Sequence, residues 1–191
     1  MTQYATDFSE YTTGQAPSDW TKRFAANFTW SVESDTSATG GKLIRGFSES
    51  ASDRNGLSWD AIDGDSNRAD VEIFMRIRFP GAIDAAEILA MARGSGSASN
   101  ANTYRHGPRP AFSTVETTKY VNGSFGSIDG KAFTFSSGVF YNVLVQVIGT
   151  SQRAKVWQVG DSEPSFTSGF GVDGTDTDIS GVGWVGLFRF R

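Results

Sequence analysis

The sequence predicts an all-β protein, folded as a sandwich of two antiparallel sheets. Three observations carry that reading. Residues 70–79 alternate: Val71, Ile73, Met75, Ile77 and Phe79 are apolar, while four of the five residues on the other parity, Asp70, Glu72, Arg76 and Arg78 but not Phe74, are charged. A period of two with one wet face is the pattern of a half-buried strand. The run KAFTFSSGVFYNVLVQVIGTSQRAKVWQVGDSEPSF, residues 131–166, holds three strand patterns separated by turn residues, as an antiparallel meander requires. Finally, 22 Gly and 13% aromatic residues, set against 5 Pro and 3 Met, suit many strands joined by tight turns better than a helical bundle.

Each element follows from local chemistry. The strand over 70–79 ends at Pro80-Gly81, because proline cannot donate to a ladder and glycine accepts positive φ. Residues 86–93 form a short apolar element that stops at Gly94-Ser95-Gly96-Ser97-Ala98-Ser99, a flexible loop by composition. Residues 111–121 read as a strand from their Phe, Val, Thr and Tyr content, and Asn122-Gly123 supplies a type I′ hairpin turn. Asp129-Gly130 gives a second such signal, which confines 124–128 to a short strand between two turns, with 132–135 following. Residues 140–148 are apolar on both parities apart from Asn142 and Gln146, as expected of a central strand covered on both faces. A final strand covers 184–190. The spacing of turns suits roughly ten to twelve strands in a jelly roll, and 191 residues suit one domain spanning 1–191.

Two stretches resemble the concanavalin A-like lectin/glucanase family, in the form found in phage structural proteins. One is Phe140-Tyr141 opening a strand, followed by a strand ending in Lys155-Val156-Trp157 and the Gly160-Asp161-Ser162-Glu163-Pro164 turn; the other is the opening DFSEYTTGQAPSDWT, residues 7–21. The resemblance implies a jelly-roll sandwich whose first strand lies beside its last. It covers residues 31–70 and 95–110 mainly through the order of elements.

Composition narrows the function classes. Net charge is −4 and the Lys and Arg residues are scattered, so no basic footprint for a phosphate backbone exists and nucleic acid is not expected as a partner. There is no run of about 18 apolar residues to span a bilayer, and no membrane partner is expected. The chain has no Cys, and its start shows neither a basic n-region nor an apolar h-region; the expectation is synthesis in a host cytoplasm without reliance on disulfides.

Glycoside hydrolases of the resembled family carry Glu-x-Asp-x-x-Glu or Glu-x-Asp-x-Glu on one strand, and no such motif is present. Asp70 and Glu72 share a face, but Arg76 stands where a third acid is wanted, so the pair reads as a solubilising feature. His106, the sole histidine, reads as a solvated loop residue, and no Gly-x-Ser-x-Gly elbow or Cys nucleophile accompanies it. No enzymatic activity is expected, and a divergent glycoside hydrolase is the least favoured alternative.

Asp63-x-Asp65-x-Asn67 begins like a calcium loop, within a carboxylate-rich stretch that also includes Asp60 and Asp70. It then departs, with Arg68 at the sharp-turn position and Phe74 at the bidentate-ligand position. Asp173, Asp176 and Asp178 form a second acidic loop. Asp and Asn bond local backbone in turns, so no cofactor is expected, with structural calcium at Asp63, Asp65 and Asn67 as the alternative. For sugar binding, Trp157 is the candidate stacking platform, with Arg153 and Lys155 on its parity and Ala154 and Val156 opposed. The competing reading is a ring packed under a loop and shielded by those basic stems.

The expectation is therefore a non-enzymatic structural or interaction protein of a phage virion, either a capsid decoration protein or a tail surface protein. Its partners would be neighbouring virion subunits, itself included as a homo-oligomer, and its place the virion surface. The alternative is a carbohydrate-binding module or adhesin that recognises cell-surface glycans.

Overall fold

The computed structural model describes residues 3–24, 28–48, 54–60, 68–79, 87–97 and 100–190. Thirteen strands run through the described residues: β1 Trp20–Phe24, β2 Phe28–Ser34, β3 Lys42–Ser48, β4 Arg54–Trp59, β5 Val71–Arg78, β6 Glu87–Ser95, β7 Asn102–Arg109, β8 Thr114–Val121, β9 Ser124–Ala132, β10 Phe140–Ile148, β11 Ser151–Gln158, β12 Gly171–Thr175 and β13 Trp184–Phe190. They build a seven-stranded sheet in the order β1-β4-β13-β6-β7-β8-β9, a four-stranded sheet in the order β12-β11-β10-β5 and the β2-β3 hairpin, with every pairing antiparallel.

The main core lies between the two large sheets. Ala90, Ala92, Tyr104 and Val115 from one meet Ile77, Val143, Val145, Val147, Ala154, Val156 and Val172 from the other. β10 is a central strand paired with both β5 and β11; its Val143, Val145 and Val147 face the core, while the other parity is only partly covered, with Ile148 exposed. The hairpin extends the second layer: its Trp30 packs on Leu57 of β4, and Arg78 of β5 pairs with Asp35 and donates to Ser37 Oγ at 3.0 Å.

Four expectations need correction. β1 is separated from β13 by β4, so the first strand does not lie beside the last. Asp129-Gly130 is not a hairpin turn: β9 runs on through it, and the pairing with β8 slips by one residue at Ile128, a bulge that absorbs the turn-forming pair. By contrast Asn122 and Gly123, at φ 49° and 76°, do form the tight turn that their types require.

Gly94 belongs to β6, not to a loop. A Cβ there would lie 1.9 Å from the Trp184 ring, so this glycine serves close approach of an aromatic ring instead of flexibility. Gly94→Ala is expected to cost about 2 kcal/mol, the price of overpacking, read as a lower urea midpoint with unchanged slope.

His106 is the fourth correction: it sits in β7 with 0% exposure. It takes the core-facing place in a row in which Ala90 and Thr117 are its neighbours on either side. Burial, with the Arg105 charge adding to it, lowers its pKa to about 3 against the pull of Gln152, so the imidazole is neutral.

Candidate functional site

The seven-stranded sheet carries a buried apolar cluster on each face. On the face turned away from the four-stranded sheet, Ser58, Gly186, Met91, Arg105, Thr118 and Ser127 follow one another in register across β4, β13, β6, β7, β8 and β9. Around that row Leu89, Met91, Tyr120 and Phe188 form a second buried cluster, flanked by Phe24 and Trp184. These four residues are themselves buried, with Phe24, Trp184 and the Arg105 guanidinium packed against them.

Two arginines thread through the aromatic rings. The Arg105 guanidinium lies 3.9 Å from the Tyr120 ring centre, 4.5 Å from Phe188 and 5.6 Å from Phe125. Arg109 lies 4.3 Å from Phe112 and 5.7 Å from Phe125. Arg109 donates to Glu87 Oε1 at 2.7 Å and to Glu116 Oε2 at 2.5 Å, while Thr114 Oγ1 donates to the other oxygen of Glu116 at 2.7 Å. Burial opposes the charge of Arg109, but Glu87 and Glu116 outweigh it and hold the guanidinium above its ordinary pKa. Phe112 and Phe125 remain 59% and 50% exposed. The result is a pair of open rings near a fixed, charge-compensated hydrogen-bonding group.

Sequence reasoning missed this site. Glu87, Arg109 and Glu116 come together only through the pairing of three strands. The signal that could have found it is the parity of β8, where Thr114, Glu116, Thr118 and Tyr120 share one face.

The residues singled out from the sequence lie elsewhere. Arg153, Lys155 and Trp157 do share the outer face of the four-stranded sheet, opposite Ala154 and Val156. That face is covered at this point by the segment after β11. Lys155 Nζ pairs with Glu163 at 2.5 Å and lies 4.4 Å from the Phe166 ring, Arg153 donates to Asp173 at 2.7 Å, and the Trp157 ring, 6.2 Å from Phe74, is 7% exposed. The Trp157 ring itself is covered, and the packed-ring reading describes its geometry.

Asp63, Asp65 and Asn67 lie outside the described residues. Asp60 accepts from Thr21 Oγ1 at 2.8 Å, and Asp176 and Asp178 both pair with Lys119, the latter at 2.6 Å. Among the described residues no three His, Cys, Asp or Glu side chains are grouped to hold a metal ion. Asp70 bonds Arg93 and the Gly149 amide, and Glu72 accepts from Gln146 at 2.6 Å.

No protein-family model and no curated protein matches this chain. Solved structures do. A carbohydrate-binding module, CBM66 from Bacillus subtilis, is similar at 18% identity over 90% of this chain and 91% of that one, with a TM-score of 0.59. Sheep galectin-11 matches at 11% identity over 73% of this chain and 92% of its own, with a TM-score of 0.38. A carbohydrate esterase of the Shiga toxin-encoding bacteriophage phi24B matches at 13% over 90% of each chain, with a TM-score of 0.43. At 18% identity, the likeness to the first is one of fold. With the topology, it defines the fold class: an all-β jelly-roll sandwich of antiparallel sheets.

Proposed function

We propose that this protein binds carbohydrate on the outer face of the seven-stranded sheet. The observation that carries the reading is the exposure of Phe112 and Phe125 beside Arg109, itself fixed by Glu87 and Glu116. Sugar rings present an apolar C–H face and a rim of hydroxyls; aromatic rings stack on the first, and rigid charged groups hydrogen-bond the second. The sandwich likeness to a carbohydrate-binding module supports the same reading at the level of fold.

The test is a glycan array followed by titration of the best ligand. Phe112→Ala and Phe125→Ala are each expected to weaken binding about fivefold, near 1 kcal/mol per stacked ring, without loss of stability because both rings are half in water. Trp157→Phe should leave affinity unchanged. An array that stays blank under multivalent display, or a loss of binding confined to Trp157→Phe, overturns the proposal.

A second reading, a phage virion component, draws on the opposite outer face. Phe74 and Ile148 are among the exposed large hydrophobic residues there, a surface suited to a neighbouring subunit. The two readings use different faces and are compatible. Mass spectrometry of purified particles that found no trace of the chain would remove the second and leave the first standing.

A further inference from the structure

We infer that the site beside Phe112 and Phe125 selects uncharged sugars, taking their hydroxyls as donors, and turns away glycans that carry a carboxylate or sulfate. Selection of this kind presupposes the carbohydrate reading above and gives it a class of ligand. Arginine ordinarily recognises an anion through a fork of two parallel N–H bonds. In Arg109 that fork is already filled from within the chain. Nε donates to Glu87 Oε1 and Nη2 pairs with the same oxygen, each at 2.7 Å, while Nη1 donates to Glu116 Oε2. Two carboxylates thus face one guanidinium, and the group as a whole carries a negative charge.

Among the described residues, the neighbouring strands leave that sign in place. On β8 the outward row is Thr114, Glu116, Thr118 and Tyr120, and on β9 the residues opposite Thr114 and Glu116 are Ala132 and Gly130. The turn Pro110–Phe112 brings no charge. Lys131 falls on the opposite parity of β9 and donates to the Ser168 carbonyl at 3.0 Å. Arg105 shares the outer face, but it is buried against Tyr120 and Phe188, which keeps its guanidinium from a ligand. Glu87 is buried too, with 3% of its side chain exposed against 14% for Glu116, so Glu116 is the acid that a ligand meets. Its two oxygens receive Arg109 and Thr114 and keep lone pairs to spare. An ionised carboxylate only accepts, so its partner must donate: a sugar hydroxyl does, whereas a uronate or sulfate oxygen brings a second negative charge and no proton.

The test titrates the intact chain with neutral hexose oligosaccharides and with hexuronic acid oligosaccharides of equal length. Expected is about tenfold weaker binding of the uronates at low salt, a gap that narrows as salt is raised, and neutral binding that salt leaves unchanged. Glu116→Gln keeps the shape of the side chain and removes its charge, and should narrow the low-salt gap about fivefold. Uronates that bind the native chain as tightly as the neutral sugars, or more tightly, overturn the selectivity and leave the sugar site standing; so does a gap that Glu116→Gln does not change. Binding of neither class removes the carbohydrate reading itself, and the selectivity with it.

Discussion

Replacing Arg93 with methionine is expected to lower the stability of the fold by about 4 kcal/mol, the largest effect of any single side chain described here. Arg93 is buried at one end of the sandwich, where it donates to the carbonyls of Ala69 at 2.6 Å, Gly149 at 2.7 Å and Ile179 at 2.9 Å and to Asp70 at 3.2 Å. Those acceptors lie on the segments that enter β5, join β10 to β11 and precede β13, so one guanidinium ties three otherwise separate chain passages.

Its aim comes from the backbone. Met91 faces outward and Ala92 inward, so an ideal strand would turn Arg93 outward again. A φ of 52° and a register shift between Ala92 and Ser95 instead direct it into the end of the sandwich. A left-handed arginine costs stability by itself, and it persists because the bonds it makes over-determine it. Methionine fills similar space but leaves the carbonyls without their donor, and with a urea slope near 2 kcal/mol per M the midpoint should fall by about 2 M. Arg93→Lys should recover less than half of the loss, since a single ammonium cannot reach all of these acceptors. A fall in the midpoint of less than about 0.5 M for the methionine variant would show that the three passages are held by other means.

The legibility of this fold in its sequence followed how local each constraint is. β5 was readable because Glu72, Arg76 and Arg78 mark one wet face, and β10 because its apolar run places it in the middle of a sheet. The Asn122-Gly123 turn was readable because two adjacent residues suffice to make it. Gly94 and Asp129-Gly130 misled because glycine has several uses, and only the Trp184 ring or the β8 partner strand decides which applies. The same limit hid the candidate site. Phe112, Arg109, Glu116 and Glu87 come from three strands and a 3-10 turn, and the ring that stood out in the sequence, Trp157, is covered by a segment whose own pattern gave no sign of folding back. His106 misled for a different reason. A Tyr-Arg-His-Gly-Pro string suggests a loop by composition, yet its alternation, with Tyr104 and His106 inward and Arg105 outward, is that of a strand.

Acid should therefore destabilise this protein well before its carboxylates titrate, and His106→Leu should abolish that sensitivity. In the folded chain the imidazole is held neutral to about pH 3, chiefly by burial, whereas in the unfolded chain it takes a proton near pH 6.5. Above pH 6.5 neither state is protonated and His106 contributes no slope. Between 6.5 and 3 the unfolded state binds a proton that the folded state does not, so stability falls by about 1.4 kcal/mol for each unit of acidification, or about 3 kcal/mol by pH 4.5. Asp35 and Asp176, whose pKa values are lowered from 3.8, act in the same direction, but only as pH drops through and below that value. Tyr104, pushed up to about 12 by burial, affects only the alkaline side, above pH 10. Among the described residues, the interval from 6.5 to 4.5 is thus reported by His106. Urea midpoints measured across it should slope for the native sequence and run flat for His106→Leu, whatever the absolute stability of the variant at pH 7. Equal slopes in the two proteins would mean that the imidazole is reached by water and protonates in place.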